Sequence, residues 1–313
     1  MTITLPVLAR LTAFTRNPEG GNPAGVWLGH VLPGPAEMQR IAAEVGYSET
    51  AFLAGAGDDA YRVRYYSPEA EVSFCGHATI ASGVLLGELL GTGTYRFDTV
   101  IGEVAVRVDR DDEGVRASLQ SVAPQQAEPP PVLLDGVLAA LGWHAKDLDR
   151  AIPPRLAWAG AWHLVLAVAE RSRLQALDYD FDALKGLMLD AGLTTLQLVW
   201  RQDERTFHAR NPFPVGGVVE DPATGAAAAA LGGYLRDAGL ITPPARFVIH
   251  QGHAMGRPSR IDVEVPVAGG VTVSGPAAWL EPPPWASADA ATGDAVRAAQ
   301  DHSGADPLPA GSR

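Results

Sequence analysis

The chain has 313 residues, 47% hydrophobic and 19% charged, which is enough apolar material for two ordinary domains or one large one. Its formal net charge of -12 excludes nucleic acid and anionic membrane surfaces as expected partners, and its single cysteine excludes an internal disulfide and a zinc site made of several thiolates. The first residues carry no basic region followed by an apolar one, and no uncharged apolar run reaches the roughly 20 residues of a membrane span, so a cytoplasmic protein is expected.

The first predicted elements alternate between strands and a helix. A strand is predicted over residues 6–14, a Gly/Pro/Asn loop over 15–25 and a short strand over 26–28. Apolar residues at helical spacing then predict an amphipathic helix over Pro35–Val45. Glu49 follows at the head of a short apolar strand. A solvated Glu at a strand end is the ordinary interpretation, whereas its apolar neighbours favour partial burial.

Cys75, Gly76 and His77 stand together where a predicted strand over 61–66 gives way to a predicted buried helix over 78–90. The first turn of a helix leaves backbone N–H groups unpaired, and the helix dipole favours a negative charge in front of them. The junction therefore suits an anionic small molecule. A buried cysteine and a capping histidine are nevertheless the commoner interpretation of three such residues taken alone.

The rest of the chain predicts two halves joined by a proline-rich segment. Strands are predicted over 95–99, 103–109, 115–121, 162–168, 195–200, 206–210, 247–250, 261–265 and 271–274, and helices over 135–141 and 181–191. The domains are therefore expected to be an amino-terminal half over 1–122, a stiff linker over 123–131, a carboxy-terminal half over 132–280 whose last strand could return to the first half, and a Pro/Ala-rich tail over 281–313 with at most one weak helix.

The strand-to-helix junction occurs twice in the chain. Arg64 and Arg210 are 146 residues apart, and the same offset aligns prolines, glycines and apolar residues around both junctions without a gap. It places Cys75 on Asp221, and the pair Asp221-Pro222 predicts a helix start with an Asp cap and a proline at the first helical position. Capping alone would explain an isolated Asp-Pro.

The repeat favours two similar folds related by a pseudo-two-fold, with both helix amino ends facing one cleft. Backbone N–H groups from the two sides would then hold a carboxylate. The same arrangement would bring together Glu49, His77 and Asp221, which are three proton carriers. Such a cleft suits the movement of protons on carbon better than hydride or phosphoryl transfer.

Several longer motifs occur in one order along the chain. They are Gly-Asn-Pro-Ala-Gly (21–25), Ser-Glu-Thr-Ala-Phe (48–52), Cys-Gly-His-Ala-Thr (75–79), Glu-Asp-Pro-Ala-Thr-Gly (220–225), Gln251-Gly252 and Arg257. Together they resemble the PhzF, or phenazine-biosynthesis-like, family, a branch of the diaminopimelate-epimerase fold. The resemblance runs from about Phe14 to Leu280, and the tail lies outside it.

The resemblance implies an α+β fold of two similar domains related by a pseudo-two-fold, each a curved and mostly antiparallel sheet or barrel around a central helix. It implies a homodimer and an isomerase without metal or cofactor, whose type substrate is trans-2,3-dihydro-3-hydroxyanthranilate. Glu49 would be the principal acid/base, with His77 and Asp221 holding the polar groups of a small carboxylate-bearing substrate and assisting proton transfer. The implied substrate-binding residues are Cys75, Gly76, Ala78, Thr224, Gly225 and Ala226.

Ala226 departs from the pattern, because the family usually has a serine there that belongs to the site. The sequence therefore leaves two alternatives open. One is an epimerase-like enzyme that pairs Cys75 with Asp221 or Glu49, although the epimerase relatives use one cysteine from each half. The other is a ligand-binding protein without turnover. No metal site is expected, since the close pair His250-x-x-His253 has no acidic motif beside it.

Overall fold

A computed structural model describes residues 5–283 of the chain, so the predicted tail lies outside the described residues from residue 284 onward. The helices are α1 Pro35–Val45, α2 Gly76–Leu90, α3 Pro131–Ala140, α4 Arg171–Gln175, α5 Phe181–Asp190 and α6 Gly225–Asp237. The strands are β1 Val7–Ala13, β2 Asn22–Gly29, β3 Glu49–Gly57, β4 Ala60–Tyr66, β5 Glu71–Val72, β6 Gly93–Thr99, β7 Gly102–Asp111, β8 Gly114–Gln120, β9 Gln125–Ala127, β10 Arg155–Trp158, β11 Trp162–Ala167, β12 Thr195–Asp203, β13 Thr206–Phe213, β14 Val218–Asp221, β15 Ala245–Gln251, β16 Ser259–Val265 and β17 Thr272–Trp279.

Eight strands of the first half close into a barrel. They pair in the order β1–β2–β3–β4–β6–β7–β8–β17, and β17 returns to β1. Most of these pairs are antiparallel, whereas β2 with β3 and β4 with β6 are parallel. Helix α1 covers the outside of this barrel, where Met38 packs with Trp27 and Phe52.

Helix α2 lies along the inside of the barrel. The eleven residues His77–Gly87 are buried, so the helix has no solvated face. The glycines of this helix let the strands approach it closely: a Cβ at Gly83 would lie 2.7 Å from Cγ1 of Val106. Gly91, at φ 105°, ends the helix, and its N–H donates to the carbonyl of Gly87.

In the second half, a sheet packs around α6. The strands pair in the order β9–β10–β11–β12–β13–β15–β16–β17, and α6 packs against β10, β11 and β16. The alanine run of α6 is buried, because small side chains allow the surrounding strands to reach the helix. Helices α3 and α5 cover the outer face of the sheet, where Val137 and Leu184 pack with Leu164 and Leu196.

Strand β17 belongs to both halves. Its first residues pair with β16 on one edge and with β8 on the other, and its last residues pair with β1. The two sheets are therefore joined by main-chain hydrogen bonds as well as by side chains. Strand β9 likewise lies inside the segment predicted as a linker and pairs with β10, so residues 125–127 are part of the second sheet.

Several predicted boundaries need correction. Helix α1 is confirmed over Pro35–Val45, but α3 begins at Pro131, where the sequence predicted a start at 135. Strand β2 begins at Asn22, inside the predicted loop, because its residues pair with β1 as far as Ala13. Among the described residues, no helix combines the length and the apolar character needed to cross a membrane.

Two leucines of α2 test the central position of this helix. Leu85 is 0% exposed and Leu90 is 62% exposed. Leu85→Ala is expected to lower the free energy of unfolding by about 2–5 kcal/mol, because it removes buried methyl groups and leaves a cavity. Leu90→Ala is the matched control and should change it by less than about 0.5 kcal/mol. Urea unfolding followed by circular dichroism measures both, and equal losses would contradict the packing described for α2.

Candidate active site

The amino end of α2 opens onto free space. Cys75 has extended backbone angles and precedes the first helical residue, Gly76. Apart from the two chain neighbours and the backbone of α2 itself, no heavy atom lies within 4 Å of the position that a Cβ would take on Gly76. Since the first N–H groups of a helix lack partners within it, this space lies before unpaired donors and the positive end of the helix dipole.

Glu49 lies beside this helix end because of the parallel pairing of β2 and β3. It is the first residue of β3 and stands opposite Ala24 of β2. Its Oε2 lies 3.4 Å from Nε2 of His77 and 3.6 Å from Sγ of Cys75. The Glu49 side chain is 19% exposed and that of His77 is 8% exposed, so the contact is largely shielded from water but still accessible. Ser48 Oγ, 3.4 Å from His77 Nε2, borders the same imidazole.

Asp221 belongs to the end of a strand, and the prediction that it caps a helix is wrong. It is the last residue of β14, opposite Asn211 of β13, whereas α6 begins at Gly225 with Thr224 as its cap residue. Asp221 Oδ1 accepts a hydrogen bond from Nδ2 of Asn22 (2.8 Å), and its Oδ2 accepts one from Oγ1 of Thr224 (2.5 Å). These bonds satisfy the carboxylate in place of the helix N–H groups.

Charged residues of one half change the pKa of residues in the other half. Burial raises the pKa of Asp221 to about 6, and the negative charge of Glu49 adds to this effect, while His77 and the hydrogen bonds from Thr224 and Asn22 oppose it. Burial, followed by the charge of Glu49, raises the pKa of the Cys75 thiol well above its ordinary value. Glu49, His77 and Asp221 therefore act on one another within one site.

The predicted substrate-binding residues differ in how much of each remains free. Gly76 and Ala226 are half-buried in the first turns of α2 and α6. Ala78 is buried. Gly225 is buried against Phe14. The Thr224 hydroxyl is engaged by Asp221 and by Gln251.

Three further residues support the site. In the sequence, each of them stood out only as part of a motif. Asn22 bridges the halves, since its Nδ2 also donates to the carbonyl of Ala223. Gln251 is 1% exposed, and its Nε2 donates to the Asp221 carbonyl at 2.8 Å. Arg257 donates to the carbonyls of Gly20 and Gly21, which precede Asn22. In the sequence, only their positions within motifs indicated these three residues, because each forms its hydrogen bonds with residues far away in the chain.

Glu49, Cys75 and His77 also offer three donor atoms within 4.8 Å of one another, which is a spacing that a metal ion could bridge. The thiolate is the form of cysteine that binds metals, and burial raises the pKa of the free Cys75 thiol well above its ordinary value.

Comparisons with known proteins identify the family. A model of the phenazine biosynthesis-like family, PhzC-PhzF, matches residues 11–281, and the chain belongs to this family. The Escherichia coli O157:H7 "uncharacterized isomerase YddE" is 32% identical over 296 residues, covering 90% of this chain and 98% of that protein. An "uncharacterized isomerase" of Deinococcus radiodurans is 34% identical over 279 residues, covering 83% and 87%. The crystal structure of a Bacillus anthracis PhzF-family protein has the same fold, with a TM-score of 0.79, 23% identity and coverage of 89% and 98%. The predicted resemblance is thus confirmed.

The raised pKa of Asp221 predicts a dependence of stability on pH. Between the ordinary value of 3.8 and about 6, the folded chain binds a proton that the unfolded chain has released, so stability falls as the pH rises through this window. Asp221→Asn should therefore raise the free energy of unfolding at pH 8 by about 2 kcal/mol, with little difference at pH 4. Urea unfolding at both pH values measures this.

Asp147→Asn is the control of opposite sign. The backbone N–H of His144 lowers the pKa of Asp147, so the charged form is favoured by the fold, and its removal should give no gain at pH 8. If Asp221→Asn is also no more stable than the parent at pH 8, then burial does not raise the Asp221 pKa as described.

Proposed function

We propose that this protein is a cofactor-independent isomerase that moves a proton on carbon of a small carboxylate-bearing substrate, with Glu49 as the acid/base. The observation that carries the proposal is the 3.4 Å contact between Glu49 and His77, whose charges both act on the pKa of Asp221. Membership of the phenazine biosynthesis-like family and the isomerase names of its relatives support the class of reaction. Dimerisation, implied by the resemblance, stays a prediction.

In the proposed reaction, the Glu49 carboxylate takes a proton from one substrate carbon, the double bond shifts, and the Glu49 carboxyl group, whose proton exchanges with water, returns a proton to another carbon. No atom or electron is gained or lost, so the step requires no oxidant or co-reactant. The space before Gly76 would hold the substrate carboxylate against the N–H groups of α2. Asp221, with a pKa of about 6, is able to exchange a proton with a substrate heteroatom near neutral pH.

The epimerase-like alternative is less well supported. A racemising thiol must become a thiolate, and burial together with the charge of Glu49 raises the pKa of Cys75 well above its ordinary value. The sequence also offers no second cysteine to act from the other face of a substrate. Cys75 is better explained as a buried neighbour that lies against Glu49 and His77.

We also propose that the two halves are related by a pseudo-two-fold. The pair Phe52↔Arg64 in β3 and β4 recurs as Leu198↔Arg210 in β12 and β13, with both members shifted by 146 residues. The offset between equivalent residues of the two halves then increases by three, because Arg64 pairs with Glu71 whereas Arg210 pairs with Glu220. This slip aligns the cap residue of α2, Cys75, with Thr224 and corrects its alignment with Asp221.

Glu49→Gln tests the base. Turnover should fall by at least about 100-fold, because the amide cannot accept the proton, while the melting temperature stays close to that of the parent. Small cyclic and amino carboxylates that protect the protein against thermal unfolding would serve as substrates, and deuterium incorporation from D2O, followed by NMR, measures turnover. A fully active Glu49→Gln variant would refute the assignment.

Cys75→Ser is the matched control for Glu49→Gln, since it alters a neighbour in the same contact. Its loss should be far smaller than that of Glu49→Gln. A comparable loss, accompanied by exchange at a stereocentre without movement of unsaturation, would favour the epimerase-like alternative. Binding without deuterium incorporation for every ligand found would favour the ligand-binding protein.

Ala226→Ser tests the departure from the family pattern. Ala226 is half-buried in the first turn of α6, where a serine hydroxyl would add one hydrogen bond toward the cleft. One such bond is worth about 1 kcal/mol, so turnover of trans-2,3-dihydro-3-hydroxyanthranilate should rise by about three- to tenfold. Ala227→Ser, at a buried neighbouring position, is the control and should bring no gain. An unchanged rate in both variants would show that residue 226 does not limit this substrate.

A further inference from the structure

A row of rings crosses the outer face of the second sheet, away from the site at Glu49. Trp200 and His208 are cross-strand partners in β12 and β13, and His208 and His250 are partners in β13 and β15. The ring centroids are 5.4 Å apart in the first pair and 5.3 Å apart in the second. His253, in the short 3-10 helix His253–Met255, continues the row at 5.8 Å from His250. Three histidines are thus neighbours on one surface.

The rings of His208, His250 and His253 border a pocket of about 320 Å³, which we call the histidine pocket. Its wall includes all three histidines together with Arg171 and Arg210, and no carboxylate lines it. The chain as a whole has 36 Asp and Glu residues against 24 Lys and Arg residues, so a wall with two arginines and no carboxylate runs against the composition. Such local reversal of charge is typical of a site for an anion.

Only some of the positive charges around the histidine pocket have an acidic partner. Arg210 is paired with Glu220, a buried partner. Arg171 lies over the ring of Trp200 at 5.5 Å, and it makes no ion pair within residues 5–283. Asp262, which lies near His250, already binds Arg116 and Arg260. Arg171 therefore remains as a positive charge that can receive a ligand.

The titration of the imidazoles agrees with an excess of positive charge. Burial, followed by Arg171 and the other two histidines, lowers the pKa of His208 to about 4, and Asp203 opposes this only in part. Burial and His253 lower the pKa of His250, with Arg260 and Arg171 adding to the effect and Asp262 opposing it. Burial and Arg171 lower the pKa of His253. A bound anion would reverse these shifts.

We propose that the histidine pocket binds a small oxyanion, a carboxylate or a phosphate, with Arg171 as its principal charge partner and the imidazoles of His250 and His253 as hydrogen-bond donors, since Nε2 of His208 already lies 2.8 Å from Oε1 of Gln202. A divalent metal is a poorer match, because Arg171 repels a cation. The donor atoms of the three histidines, moreover, are not among the sets within residues 5–283 that lie within 4.8 Å of one another. This site is independent of the reaction proposed for Glu49.

The test uses the full chain with its histidines labelled with ¹³C, and follows their ring signals by NMR. Sodium benzoate and sodium phosphate are titrated separately, to about 10 mM, at pH 5.5 and pH 8. Benzoate keeps one negative charge across this pH range, so any change of its affinity with pH reflects protonation of the protein. The tighter of the two anions identifies whether carboxylate or phosphate is preferred. His77 reports on the site at Glu49, so binding there is seen separately.

One of the anions is expected to shift the signals of His208, His250 and His253 and to raise their pKa values by at least about one unit. Because binding then takes up protons, benzoate should bind about tenfold more tightly at pH 5.5 than at pH 8. Arg171→Gln should weaken binding at least about tenfold. Arg246→Gln, at an 80% exposed arginine of the same sheet, is the matched control and should have no effect.

Three outcomes would overturn the proposal. The first is that neither anion shifts the three histidine signals. The second is an equal loss of binding in Arg171→Gln and Arg246→Gln, which would indicate a diffuse charge effect. The third is a response of these signals to zinc chloride at pH 8 with none to either anion, which would make the pocket a metal site.

Discussion

The site depends on one half-buried carboxylate, Asp221, that is held from both halves of the chain. Asp221 accepts hydrogen bonds from Asn22, at the start of β2, and from Thr224, before α6. The partial loss of hydration is costly unless the carboxylate oxygens find donors, so these bonds offset that cost and link the second half to the first. Burial still raises the pKa of Asp221 to about 6, because the donors offset only part of the lost hydration.

Two central helices begin beside residues of the candidate site. Each sheet wraps around a helix that carries small residues, so the strands approach the backbone closely. The amino end of α2 carries His77, and the loop before α6 carries Asp221. Strand β17 pairs with both sheets and limits how far the helix ends can separate. A rigid scaffold of this kind suits a site that must hold a base close to a carbon atom.

Charge is distributed unevenly over this acidic chain. With a net charge of -12, the overall field offers no attraction to a carboxylate, so recognition depends on local donors. The proposed donors are the helix N–H groups at Gly76 and, in the histidine pocket, Arg171 with His250 and His253. These two places differ in chemistry, because the first lies beside a carboxylate base and the second has none in its wall.

Much of the fold was predictable from local patterns. Helical spacing predicted α1, and the apolar run after His77 predicted α2. The offset between Arg64 and Arg210 indicated the register that two strand pairs share. Residues 75–77 at a strand-to-helix junction were also evident, since caps and periodicity depend on residues that are close together in the chain.

The tertiary structure decided what the polar atoms of the site contact. An Asp-Pro pair is a common helix start, yet Asp221 ends a strand, because Asn22 and Thr224 occupy its oxygens and three extra residues delay the helix to Gly225. Asn22 and Asp221 are 199 residues apart, and no local pattern records such a contact. The sequence by itself determined the elements and the motifs, through interactions within a few residues. Which carboxylate became buried, and beside which donors, was settled only when distant strands paired and excluded water.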